Sequence, residues 1–372
     1  MSFLYENLLA ITWQQVAMWA IGSILIYLAI KKDMEPSLLL PIGFGAILVN
    51  LPFSGAVDQL INNVLQEGPL STLYTAGIAN ELFPLLLFIG IGAMCDFGPL
   101  LSNPVMMLFG AAAQFGIFFV LCVASMFFPL NDAASIATIA AADGPTAIVV
   151  AEKLGSQYLG PIMVAAYSYM ALVPIIQPPI IKLLTTKKER KIRMDYEPKQ
   201  VSKTTRILFP IIITVVAGLV SPASVSLVGL LMFGNLIKEC GVLDSLNDTA
   251  QDALTNIITL ILGITIASQM QAAQFLSLNT LIILGLGLFG FIFDTAGGIM
   301  FAKFLNIFLK KKVNPMIGAA GISAFPMSGR IVHKLGLEED NQNFLLMHSM
   351  AVNVSGQIAS VVAGGLILSM FM

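Results

Sequence analysis

The apolar residues of this chain come in about a dozen long blocks, and nothing constrains its fold more. The blocks fall at roughly 14–30, 37–52, 83–101, 104–129, 133–152 and 158–181. After a basic stretch they resume at 207–220, 224–237, 254–270, 279–309, 316–333 and 343–371. A bilayer crossing needs about 20 predominantly apolar residues, and a soluble surface needs about 25% charged residues. Only 11% of the 372 residues are charged and 57% are hydrophobic. The chain cannot coat a soluble globule, which excludes a soluble enzyme, a nucleic-acid binder and a disordered protein. The expected fold class is an all-α polytopic membrane protein.

The lysines and arginines orient the blocks. The stretch from Lys182 to Arg206 holds nine basic residues and is expected on the cytoplasmic side of a cell membrane. Suppose 133–152 and 316–333 are re-entrant hairpins and the other ten blocks cross. Then Lys31, Lys32, Lys238, Lys303, Lys310 to Lys312 and Lys334 also fall inside or at the inner boundary. The loop 53–82, with Asp58, Glu67 and Glu81 but no lysine or arginine, falls outside. Only Lys153 and Arg330 remain, both in the hairpins. The first block, Val16 to Ile30, ends in Lys31-Lys32 without an obvious cleavage site and reads as a first span.

The two halves align with each other. Pro36, Gly43, Gly55, Asp58 and Leu60 match Pro222, Gly229, Gly241, Asp244 and Leu246 at an offset of 186. Pro145 and Lys153-Leu154-Gly155 match Pro326 and Lys334-Leu335-Gly336 at 181, and Met170, Ala171 and Gln177 match Met350, Ala351 and Gln357 at 180. The expected organisation is one membrane unit of two repeats, 1–195 (ending in the basic loop 182–206) and 207–372. Each repeat holds five crossings and a hairpin. Five is odd, so the second repeat is inverted, as in many secondary transporters.

Polar residues inside the hairpins are the candidate site. The first reads Ala140-Ala-Ala-Asp143-Gly-Pro-Thr146. A carboxylate in an apolar stretch is a functional hypothesis by default. Gly144-Pro145 interrupts the helix and frees carbonyls, so Asp143, Thr146 and those carbonyls are hard oxygen ligands suited to Na⁺. The competing reading is an Asp cap on a turn. The second hairpin places Asn314 before Pro315, then Ser323, Pro326 and Arg330. Asn314 could merely cap, Ser323 could bond its own helix, and Arg330 could snorkel or pair with an anion. The helices that follow contain Tyr167-Ser168-Tyr169 and Asn353-Val-Ser355. Tyr169 could donate a proton or anchor at an interface, and the Asn353 amide must find partners. Gln177 stands before Pro178-Pro179, which are expected to break or end its helix. Asp294 is a second deep carboxylate, either an ion ligand or relay or a residue beside a helix break. Cys95, Cys122 and Cys240 are scattered apolar filler. No GxxxxGK[ST] motif is present, which excludes a P-loop ATPase.

The strings PIGFGAILVN, ADGPTAI, AYSYMALVPIIQPPI, KKERKIRM, NPMIGAAGISAFPM and NFLLMHSMAVNVSGQI together resemble the β subunit of the biotin-dependent, sodium-pumping decarboxylases. That group includes the oxaloacetate, methylmalonyl-CoA and glutaconyl-CoA enzymes. The resemblance runs from about residue 16 to near the end. It implies a carboxybiotin decarboxylase that couples loss of CO₂ to Na⁺ export with consumption of a proton. It also implies partners: a biotin carrier protein, a carboxyltransferase α subunit, a small membrane γ or δ subunit and copies of the chain itself. Asp143 matches the family's essential hairpin carboxylate, Tyr169 the tyrosine of the AYSYM motif, Asn314 and Ser323 polar residues of the second hairpin, and Asn353 the asparagine of the last helix. Arg330 falls at a polar position of the second hairpin motif. The implied roles are catalysis for Asp143, Tyr169 and Arg330, and contact with the biotin cofactor for Tyr167, Asn314 and Arg330. Na⁺ ligation falls to Asp143, Thr146, Asn314, Ser323 and Asn353. The short loop 53–82 favours the acyl-CoA members. A secondary Na⁺ symporter would share the inverted repeat and broken helices and need no biotin partner.

Overall fold

In hydrocarbon, a segment must bond its own backbone groups, and a helix does so without help from neighbours. The apolar blocks obey. The structure, a computed structural model, describes residues 2–32, 34–61, 64–195 and 201–372. Among the described residues, eight helices are long and apolar enough to cross: Trp13–Lys32, Pro104–Ala124, Leu159–Leu184, Lys203–Val220, Pro222–Cys240, Asp244–Gln269, Leu278–Phe308 and Leu346–Phe371. The pair Pro69–Ile78 and Leu82–Met94, bent by 63°, makes a ninth if taken as one span. Pro36–Val49 is a shorter apolar helix of 14 residues, about 21 Å long. These are the ten blocks expected to cross. Between the second and third of them, Gln59–Ile61 pairs antiparallel with Val64–Gln66, a small hairpin the sequence did not announce.

Close approach between helices rests on small residues, because lipid supplies no hydrophobic drive for association. A Cβ added at Gly92 would lie 1.8 Å from the Leu231 carbonyl, and one at Gly234 2.0 Å from the Ile89 carbonyl, so Leu82–Met94 and Pro222–Cys240 touch backbone to backbone. Pro36–Val49 meets Asp244–Gln269 through glycines set against small side chains. There, a Cβ added at Gly45 would lie 2.4 Å from the Ala267 methyl, and one at Gly263 2.9 Å from the Pro41 ring.

Two short helical pairs do not cross. In the first, Leu130–Ala137 runs through the 3₁₀ turn Thr138–Ala141, breaks, and returns as Gly144–Lys153. Its two ends meet: the Asp132 carboxylate accepts from the Ser156 hydroxyl (2.7 Å) and the Gln157 N–H (3.0 Å). In the second, the 3₁₀ segment Pro315–Gly321 breaks and continues as Met327–Glu339. Its ends also meet, on Arg190. The Asn314 amide donates to the Arg190 carbonyl at 2.9 Å, and the Arg190 guanidinium pairs with Glu339 at 2.6 Å. Leu159–Leu184 starts beside the closed end of the first hairpin and finishes beside that of the second. Its 26 residues span about 39 Å. The hairpins therefore enter from opposite ends of the bundle. Their tips join through one backbone bond, Ser323 N–H to the Ala141 carbonyl, at 3.1 Å.

The hairpins inferred from charge balance are thus present, and their two anomalous charges differ in fate. Lys153 pairs with Glu81 at 3.7 Å. Arg330 is exposed. The basic loop docks on the acidic end of the second hairpin through Lys182–Glu338 (3.5 Å), Arg190–Glu339 and Arg193–Asp340 (2.7 Å). One expectation fails. Pro178-Pro179 do not end their helix, which continues to Leu184 despite Pro174, Pro178 and Pro179. Neighbouring helices hold it in place, and prolines are tolerated where a bundle re-satisfies the freed carbonyls.

Candidate functional site

The site is built where the first hairpin turns. Ala142 has φ 51°, a left-handed conformation that is uncommon for a residue with a side chain. It ends the 3₁₀ turn and swings Asp143 to the N-cap of Gly144–Lys153. Pro145 falls in the first turn, where its missing N–H is harmless. Asp143 Oδ1 accepts from the Thr146 N–H at 3.2 Å, and Oδ2 accepts from the Thr146 hydroxyl at 2.7 Å and the Ser360 hydroxyl at 2.6 Å. The residue is 4% exposed. Cap and buried carboxylate, posed as alternatives on the sequence, are the same residue. The positive end of the helix dipole favours its charge.

Ser360 belongs to a polar stripe on Leu346–Phe371. Asn353, Gln357 and Ser360 follow at spacings of four and three, hence on one face. Asn353 donates to the carbonyls of Ala320 (3.1 Å) and Ile322 (2.8 Å). Gln357 donates to the Ser323 carbonyl, and the Ser323 hydroxyl donates back to Gly356 at 3.0 Å. The last helix thereby touches the carboxylate of one hairpin and the broken backbone of the other. Two more amides hold that backbone: Gln177 donates to Ala319 at 2.7 Å and Gln114 to Gly321 at 3.4 Å. In all four amides, Gln114, Gln177, Asn353 and Gln357, the side-chain oxygen is buried without a partner. Such oxygens are costly to leave unmatched, and they are the ligand type a hard cation takes.

The remaining candidates separate. The Tyr167 ring lies against Gly144, where an added Cβ would come within 2.4 Å of it, and its buried hydroxyl has no partner. Tyr169 donates its hydroxyl to the Leu284 carbonyl, on the helix Leu278–Phe308. Asn314 is not brought to Asp143. It sits at the closed end of the second hairpin, donating to the Arg190 and Ile192 carbonyls, both at 2.9 Å, and accepting from the Met316 N–H at 3.1 Å. The seven-residue 3₁₀ segment, about 14 Å long, separates it from the hairpin tip. The structure therefore does not bring Asn314 to the Asp143 centre; the residue links the second hairpin's end to the basic loop. Asp294 lies in a continuous helix; the break is in its neighbour, at Gln114. Its Oδ1 accepts from the Gly116 N–H just beyond that break, while Oδ2 has no partner. One turn to either side, Gly290 faces Ala140 and Gly298 faces Gly318, so Asp294 lies between the two hairpins.

Sequence reasoning missed Ser360 and Gln114, and used Gln357 only as a repeat match. The spacing of Ser360 from Asn353, two helical turns along one face, was the available signal.

Crossed, broken hairpins around buried oxygens, inside a bundle of crossing helices, define a polytopic membrane protein with a polar centre suited to ions. Comparison with known proteins makes this specific. Residues 14–371 match the family of the Na⁺-transporting oxaloacetate decarboxylase beta subunit, and the chain belongs to that family. It is 48% identical to the methylmalonyl-CoA decarboxylase subunit beta of Propionigenium modestum, over an alignment of 374 residues covering 96% of this chain and 94% of the relative. It is 47% identical to the glutaconyl-CoA decarboxylase subunit beta of Acidaminococcus fermentans, over 366 residues, 98% of this chain and 95% of the relative. With the probable oxaloacetate decarboxylase beta chain of Vibrio cholerae serotype O1 it shares 44% identity over 432 residues, 99% of this chain and 100% of the relative.

Proposed function

We propose that this chain releases CO₂ from carboxybiotin presented by a separate carrier and couples that step to Na⁺ export, with a proton taken up by the biotin ureido nitrogen. The observation that supports it most is the Asp143 carboxylate, buried at the meeting of two broken hairpins in a member of a Na⁺-transporting decarboxylase family. Na⁺ is the transported substrate. Asp143, Thr146 and Ser360 offer it oxygens from the first hairpin and the last helix, and Ser323 and Asn353 offer them from the second hairpin side. A hydroxyl directs its hydrogen at a carboxylate and its lone pairs at a cation simultaneously, so the observed bonds are compatible with ligation. Tyr169 serves as a proton donor once released from Leu284. Arg330, exposed on the second hairpin helix, meets the carboxylate of the incoming substrate. Tyr167 lies beneath Gly144, where it shapes the wall around Asp143.

We further read 1–195 and 207–372 as inverted repeats. Hairpins entering from opposite ends support this, as do the mirrored glycine contacts, in which the second crossing of each half meets the third of the other. The basic loop faces the cytoplasm, where a biotin carrier protein and a carboxyltransferase subunit would act, and a small membrane subunit completes the complex. The acyl-CoA type of complex is favoured because the alignments to the two acyl-CoA relatives are nearly the length of this chain. That to the oxaloacetate relative is much longer and opens long gaps in it.

The test is CO₂ release from free carboxybiotin by the purified chain, with and without Na⁺. Na⁺-stimulated release that disappears in Asp143→Asn is the expected result. Release that is indifferent to Na⁺, or unchanged in Asp143→Asn, would sink the proposal. If the folded chain alone releases nothing, the same comparison is made with the co-expressed complex, and silence there also overturns it.

A further inference from the structure

Helix Leu278–Phe308 ends in a row of outward apolar side chains: Phe304, Ile307 and Phe308 are 55%, 75% and 70% exposed. Surface of this kind at a helix end faces acyl chains. Immediately beyond it lies a cavity of about 510 Å³ whose lining includes Lys188, Lys303, Lys312 and Glu189. The three lysines come from three segments: the basic loop, the crossing helix, and the turn that follows it.

Their placement is fixed. The Thr186 backbone N–H donates to the Glu189 carboxylate at 2.7 Å and the Thr186 hydroxyl accepts from the Glu189 N–H at 3.3 Å, closing a capping box that holds the short helix Lys187–Arg190. Asn306 accepts from the Val313 N–H and donates to its carbonyl, both at 2.8 Å, folding the Lys310–Lys312 turn back onto the helix. Lys303 neutralises Glu189 at 3.1 Å. Lys188 and Lys312 are exposed and have no side-chain partner among the described residues. Among the described residues the cavity therefore keeps two positive charges without an ion-pair partner, beside the exposed Phe304, Ile307 and Phe308.

We propose that this cavity is a binding site for the phosphate headgroup of an anionic phospholipid, whose acyl chains lie along Phe304, Ile307 and Phe308. A phosphodiester monoanion complements the two free ammonium groups, and basic pockets beside crossing helices are where such headgroups dock. Inorganic phosphate shares the headgroup's charge but cannot use the apolar strip.

The experiment is native mass spectrometry of the full chain in detergent, titrated with phosphatidylglycerol or with phosphatidylcholine of the same acyl chains. Phosphatidylglycerol is expected to bind more tightly. The double variant Lys188→Gln/Lys312→Gln is expected to weaken it roughly fivefold per lysine, about twenty-fivefold in all, and to leave phosphatidylcholine unchanged. Both side chains are exposed and unpaired, so the variant folds. Lys31→Gln/Lys32→Gln removes the same charge elsewhere and is expected to change nothing. Equal affinity for the two lipids, or an equal loss in both double variants, would overturn the proposal. Displacement of phosphatidylglycerol by millimolar inorganic phosphate would assign the cavity to a free anion and overturn it too.

Discussion

Ser360→Ala removes one hydroxyl and leaves the helix intact, since alanine is the better helix former. The lost contact is the 2.6 Å bond to Asp143 Oδ2, one of three donors to that carboxylate. The other two are both supplied by Thr146 and survive. Hydrogen bonds to charged groups contribute about 1.5–3 kcal/mol, which converts to roughly 10- to 150-fold in an equilibrium constant. If Ser360 also offers its oxygen to Na⁺, the half-saturating Na⁺ concentration for carboxybiotin decarboxylation rises by at least about tenfold. The rate at saturating Na⁺ stays close to wild type. The assay is initial CO₂ release against Na⁺ concentration in proteoliposomes. A half-saturating concentration unchanged within error would refute the placement of Ser360 in the ion site, and an equal loss of rate at all Na⁺ concentrations would assign it a structural part only.

Three further outcomes are expected. Gly298→Ala puts a methyl 2.0 Å from the Gly318 carbonyl. The crossing helix must then part from the second hairpin, with destabilisation of about 1–3 kcal/mol and a lower thermal midpoint in detergent. Asn314→Ala removes two donors to the Arg190 and Ile192 carbonyls; faster hydrogen exchange of 190–195 with an unchanged half-saturating Na⁺ would match its docking role, and a shifted Na⁺ dependence would contradict it. Asp340 is held below the usual aspartate range by its hydrogen bond from Arg193, then by the Gln342 N–H. A group whose folded pKa is depressed stabilises above its ordinary pKa and loses that contribution as pH falls through the lower folded value. Docking of the basic loop is thus expected to be unchanged between about pH 7 and about pH 5 and to loosen only below about pH 4. Hydrogen exchange of 187–195 across that range measures it.

What the sequence made legible follows from how membranes restrict chains. Ten crossing blocks could be marked because hydrocarbon leaves helices as the main solution. The hairpins could be inferred because Lys182 to Arg193 and Lys310 to Lys312 must stay on one face, a long-range constraint that charge alone expresses. Asp143 stood out because a carboxylate in an apolar block is expensive. The distance of Asn314 from Asp143 was not legible because an asparagine's composition signal is the same whether its amide faces an ion or the Arg190 carbonyl. Ser360 was overlooked because a serine in an Ala- and Gly-rich helix usually bonds its own backbone, and it does bond the Gln357 carbonyl besides Asp143. The Pro178-Pro179 reading used the cost of proline in an isolated helix, and the surrounding bundle changes that cost. The docking of the basic loop on Glu338, Glu339 and Asp340 depends on contacts far apart in sequence, which local pattern does not encode.

The arrangement also bears on how ion occupancy could govern the hairpins. Ser360 touches Asp143, bonds the carbonyl of Gln357, and Gln357 in turn holds the carbonyl of Ser323. Ser323 closes the path by donating its N–H to Ala141, two residues before Asp143. A cation drawn to Asp143 must reorient the Ser360 hydroxyl or share it, and either change is felt along this ring by the only direct backbone bond described between the two hairpin tips. The tips are broken turns, whose freed carbonyls rely on side-chain amides rather than on helix ladders, so they are the least self-sufficient part of the bundle. Coupling requires that ion and substrate favour one arrangement of a bistable element over another. The joined tips are the element placed to respond, with Asn353, Gln177 and Gln114 setting how tightly the second one is held.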